Sequence, residues 1–203
     1  MIDPFTLAAF VPMALALNLT PGADMMFCIG QGLRFGPRAA WMASAGIAVG
    51  SLIHAVIAGA GLSALLANSP VAFDVIRWAG VAYLLWLAYQ SLTATPPNFE
   101  TPRVRSSQAF KNGLLVNLTN PKVILFILAF IPQFVRPDAG PILFQFFVFG
   151  AIVGVGGLAI NGIVGMGVGK FSQRLARHAR ALNVLTAGIF TALAMRIALM
   201  ERG

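Results

Sequence analysis

Asp24 and Lys122 each fall about midway along a long apolar run, Asp24 three residues after Pro21 and Lys122 directly after Pro121. An ionised group at the centre of a bilayer costs about 2.5–3.5 kcal/mol on insertion scales, so two isolated ones cost roughly 5–7 kcal/mol. Such groups must face a wet cavity or each other. One reading is an Asp–Lys pair that merely staples two helices. The other is a site for a zwitterion, with Asp24 facing an ammonium and Lys122 a carboxylate, each neutralising the other when the site is empty. Protonating Asp24 would then weaken ammonium binding, which offers a route to exchange of solute for proton.

Both charges sit where the backbone is interrupted. The first string reads Asn18-Leu19-Thr20-Pro21-Gly22 and the second Asn117-Leu118-Thr119-Asn120-Pro121-Lys122, roughly half the chain apart. Proline deletes a helical hydrogen bond and clashes with the preceding turn. Unpaired backbone groups at membrane depth are tolerated only against protein or a wet cavity. The half-helix N-termini after Pro21 and Pro121 would add partial positive charge for an anionic group. Asn18, Thr20, Asn117, Thr119 and Asn120 either cap freed backbone groups or line a solute path, and capping suits Thr20 and Thr119 better.

The elements that must hold these strings follow from composition. The chain has 203 residues, of which 58% are hydrophobic and 10% charged, with a mean hydropathy of +0.82. A soluble domain carries about 25% charged residues to wet its surface. This composition excludes a soluble globular enzyme, a disordered chain and a disulfide scaffold. A spanning helix needs ~20 predominantly apolar residues, and six runs qualify, at about 5–30, 39–67, 71–92, 110–135, 141–169 and 181–200. The last contains Arg196, which would have to snorkel to the interface. The expectation is an all-α membrane protein of six transmembrane helices in a 3+3 inverted repeat, with helices one and four broken. It forms a single domain over 1–203, with halves at about 1–95 and 110–203. Inverted repeats with interrupted helices at matching positions point to a transporter site near the midplane.

The net charge of +8 would suggest nucleic acid in a soluble protein. Here the basic residues lie in short links, so nucleic acid is not an expected partner and the bilayer is. Arg34 and Arg38, then Arg103, Arg105 and Lys111, then Lys170, Arg174, Arg177 and Arg180 mark links one, three and five. The positive-inside bias places these links in the cytoplasm and both termini outside, in the periplasm of a bacterium. The third link, about 93–109, holds Pro96, Pro97 and Pro102 and reads as a flexible cytoplasmic connector. The N-terminus, whose first charge is Asp3, does not read as a signal peptide.

Spans two and five are rich in small residues: Gly46 and Gly50, then Gly150, Gly154, Gly157, Asn161 and Gly165. Close helix packing explains them; they permit a homodimer without requiring one. His54 shares a broad face with Ser44 and Ser51, as a packed histidine or as a proton relay. Trp78, Tyr83, Trp86 and Tyr89 read as interface anchors or packing. Two scattered histidines and the single Cys28 argue against a metal site, and no cofactor is expected.

At Asn18–Asp24 (NLTPGAD) and Asn117–Lys122 (NLTNPK) the chain resembles the lysine exporter (LysE) superfamily, specifically its RhtB-type amino-acid exporters. The similarity covers essentially the whole chain, including the aromatic third span (AYLLWLAYQSL). It implies export of amino acids or their relatives across the bacterial inner membrane, driven by the proton gradient. By motif position it points to Pro21, Gly22, Asp24, Asn117, Asn120, Pro121 and Lys122. Ala23 departs from the pattern, since the family commonly has a second proline there. Superfamily members that move electrons use paired membrane cysteines, and Cys28 has no mate. The expected substrate is neutral, because a cationic side chain would want a second carboxylate beside Asp24. The competing readings are a passive channel or facilitator on the same bundle, and an intramembrane enzyme, which the absence of a Ser–His, paired-Asp or metal-ligand spacing disfavours.

Overall fold

The computed structural model describes residues 2–68, 70–93, 108–167 and 170–199, which form helices joined by short turns. Helix α1 (Pro4–Leu19) is followed by α2 (Ala23–Phe35), α3 (Pro37–Asn68) and α4 (Pro70–Thr93). Then come α5 (Ala109–Leu118), α6 (Pro121–Ala129), 3-10 turns at Ile131–Phe134 and Pro137–Ala139, α7 (Ile142–Met166) and α8 (Lys170–Leu199). Most of the expected connector at 93–109 lies outside the described residues.

Both interrupted strings are breaks. Helices α1 and α2 meet at a bend of 55°, and so do α5 and the segment Pro121–Phe134. The cause is local. Pro21 and Pro121 have no N–H to give to the carbonyls four residues earlier. Thr20 ends α1 in extended conformation, with its backbone N–H on Ala16 O (3.0 Å) and its hydroxyl on the same oxygen (2.6 Å). Asn120 ends the second interruption as the N-cap of α6, its side chain accepting from Lys122 N (3.1 Å).

The expected six-span, 3+3 inverted repeat is corrected. Among the described residues, Pro37–Leu62 and Ile142–Met166 are each long and apolar enough to cross a membrane, and counting each bent pair as one span gives up to four. Helices α4 and α8 occupy the places of the third and sixth spans but do not join this set. Helix α8 begins at Lys170, before the expected start at 181, and among the described residues its apolar stretch is Asn183–Ala192, shorter than the ~20 residues a crossing needs. The protein is an all-α, multi-pass membrane fold with up to four candidate spans among the described residues.

Close approach of backbones holds the centre together. Any Cβ on Gly46 would collide with Phe110 O of α5, and one on Gly113 of α5 with Ala43 O of α3. Helix α7 meets α3 in the same way, Gly150 against Ala55 and Gly154 against Ala48. The small-residue stripes are packing seams. Beside them lies an aromatic cluster in which Phe10 of α1 contacts Phe149 of α7 (ring centroids 4.6 Å) and Phe126 contacts Phe130 (4.5 Å). The turn entering α7 is held by Gln145, 1% exposed, which accepts from Arg136 N–H and donates to the carbonyls of Arg136 and Gly140. Arg136 and Asp138 form an exposed ion pair there (2.8 Å).

Candidate functional site

The two breaks face one another across a small, partly open cavity. Its lining joins Leu17, Asn18, Thr20, Gly22, Asp24 and Met25 from the first break to Asn120, Lys122 and Val123 from the second, with Asn161 of α7 completing it. Asp24 lies in the first turn of α2 and Lys122 in the first turn of α6. The sequence placed both at interrupted backbone, and the fold brings them to one cavity. Asn18, Gly22 and Asn120 join them there. Pro21 and Pro121 are not among the lining residues; they shape the breaks. Asn117 is fully buried in the last turn of α5, where its amide Nδ2 donates to Asp24 Oδ2 (2.9 Å).

Lys122 does not meet its expected partner. Its ammonium donates to Leu17 O (2.6 Å) and Thr20 O (2.7 Å), and among the described residues the ion pair seen is Arg136–Asp138. The chemistry is that of a helix end. Pro21 leaves Leu17 O without its helical donor, and the last turn of α1 carries the negative end of the helix dipole, so a cation is favoured there. The second break repeats the arrangement with a different side chain. Pro121 leaves Asn117 O, which receives Asn120 N–H (3.0 Å) and lies 3.3 Å from His54 Nε2. His54 is thus bonded to a neighbouring helix, as the packed reading had it.

The two half-helix N-termini differ. Asn120 caps α6, whereas no side chain caps α2 at Gly22. The first bond closing α2 runs from Met26 N–H to Gly22 O (3.0 Å), which leaves the N–H groups of Ala23, Asp24 and Met25 ahead of it. Gly22 is extended, so its role is space: a Cβ there would stand 3.5 Å from Lys122 Cδ and take room from the cavity. The threonines act on backbone, Thr20 on Ala16 O and the exposed Thr119 on Leu115 O (2.9 Å). Asn18 donates to Val153 O (3.1 Å), tying the first break to α7.

Two participants carried other readings in the sequence, Tyr83 as an interface anchor or packing residue and Asn161 as part of a small-residue stripe. Tyr83 of α4 donates its hydroxyl to Lys122 O (3.1 Å), fixing the start of α6. Asn161 was read as part of the glycine stripe, yet it is 3% exposed and its Oδ1 has no hydrogen-bond partner. An amide within an otherwise apolar helix was the available signal.

A cavity built from two broken membrane helices, carrying one acid and one ammonium, is the architecture of a solute translocator. Residues 15–201 match the family described as LysE type translocator, and the chain belongs to that family. It is a transporter, not an enzyme. The chain is 36% identical to an uncharacterized membrane protein of Vibrio cholerae, over 88% of this chain and 86% of that one. It is 34% identical to a homoserine/homoserine lactone efflux protein of Salmonella typhi, over 90% of each. It is 29% identical to a leucine efflux protein of Klebsiella pneumoniae, over 93% of this chain and 92% of the relative. No solved structure matches the chain.

Proposed function

We propose that this protein exports neutral amino acids, hydrophobic ones included, from the bacterial cytoplasm across the inner membrane in exchange for protons. The observation that carries this reading is the single cavity shared by Asp24 and Lys122. A zwitterion's carboxylate is met by Lys122, which has three ammonium protons and gives two to carbonyls, and by the uncapped start of α2. Its ammonium is met by Asp24, whose Oδ1 has no partner. Asn117 and Asn120 hold the two charged groups in place, while Asn18, Pro21, Gly22 and Pro121 set the shape of the breaks. Protonation of Asp24 removes the charge that holds the ammonium, which couples release to proton entry. Asp24 is the one acid in the lining, and this favours a substrate whose side chain is uncharged. The homoserine and leucine named for the two efflux relatives fit that class. The chain acts as a single domain with both termini in the periplasm.

The test is a panel of labelled amino acids offered to proteoliposomes of the purified protein with an imposed pH gradient. Accumulation of neutral amino acids against their own gradient, abolished by a protonophore, is expected. Movement that only runs down the concentration gradient at every pH would make the protein a passive facilitator instead.

A further inference from the structure

We infer that Asn161 binds the substrate's ammonium, completing with Asp24 a cradle of two acceptors that selects free primary amines. Helix α7 carries two side-chain amides, Gln145 and Asn161. Gln145 uses both ends of its amide in the turn before the helix. Asn161 leaves its Oδ1 buried and without a donor, a state that is costly unless something else supplies the proton. The same holds across the cavity, where Asp24 gives Oδ2 to Asn117 and keeps Oδ1 unpartnered. Two buried acceptors lining one cavity complement a group that is cationic and rich in donors. A primary ammonium offers three N–H bonds from one nitrogen and can serve both oxygens at once, whereas a tertiary ammonium offers one. The α7 wall is also placed for this, since Gly157 leaves room between Asn161 and Asn18, whose atoms would stand 3.8 Å and 3.1 Å from any Cβ there.

This assignment rests on the amino-acid export reading, and the test separates the two. Proteoliposomes of the full chain, Asn161→Leu and Asn161→Asp are compared for efflux of labelled L-leucine, L-homoserine and N,N-dimethyl-L-leucine, after a thermal melt of each purified protein. The expected result is a rise of about tenfold or more in the half-saturation concentration of both amino acids for Asn161→Leu, with Asn161→Asp, which keeps the acceptor, restoring most of the loss. The wild type should prefer leucine to its dimethyl derivative by a similar factor, and Asn161→Leu should lose that preference. Wild-type half-saturation in Asn161→Leu overturns the assignment and leaves export standing. If that variant does not fold, equal handling of leucine and dimethyl-leucine by the wild type overturns it as well. Failure of the wild type to move either amino acid overturns the export reading and this assignment with it.

Discussion

A carbonyl four residues before a proline has lost its helical donor, and both broken helices of this protein hand that carbonyl to a distant side chain. Lys122 takes Leu17 O, and His54 stands at Asn117 O. The charged lysine therefore holds the first break in shape while it lines the cavity, in place of the Asp–Lys staple that the sequence offered as one reading. The partner was hidden in the sequence because Leu17 offers only a main-chain oxygen, and no residue type marks that. Asn117 shows the same economy, with one end of its amide on Asp24. Asn117→Ala leaves that carboxylate without its donor, so we expect a loss of about 1–3 kcal/mol, read as a lower melting temperature in detergent, together with a large fall in transport. Thr119→Val removes a hydroxyl that only serves its own helix on an exposed face. It should transport like the wild type and lose no more than about 0.5 kcal/mol. Matched losses in both variants would mean that the second motif acts as a unit of backbone and not through Asn117.

At the scale of elements, the breaks were legible because proline and glycine act on the main chain wherever they stand. The number of spans was not. Apolar content marked 71–92 and 181–200 as well, whereas among the described residues Pro37–Leu62 and Ile142–Met166 qualify singly and the two bent pairs jointly. The glycine seams were read correctly as packing, and their partners emerge only in the fold. Gly46 and Gly113 press α3 onto α5, the helix that delivers Asn117 to Asp24. Gly113→Val should cost about 1–3 kcal/mol through overpacking and reduce transport by moving Asn117, although residue 113 does not line the cavity. A variant with wild-type melting and transport would show that the seam can yield freely. Gln145→Leu strips three hydrogen bonds from the turn before α7, and a loss of about 1–3 kcal/mol is expected, with the half-saturation concentration of the substrate unchanged.

For the whole molecule, the governing feature is that a cavity lined by one acid and one ammonium sits between elements otherwise matched to lipid. On the proposed topology an even number of crossings would put both termini on one side, and the positive-inside bias would make that side the periplasm. Single cysteines placed at residues 2 and 199 should therefore react with a membrane-impermeant thiol reagent in intact cells, and the buried Cys28 should stay silent; labelling only in lysed cells would reverse the orientation. The cavity's use is tested most directly by efflux of labelled leucine from proteoliposomes under an imposed pH gradient, comparing the wild type with Asp24→Asn and Lys122→Ala. Gradient-driven movement in the wild type, reduced by about tenfold or more in both variants, is the expected result. Near-normal, gradient-driven flux in both variants would contradict it and remove the two charges from the transport mechanism.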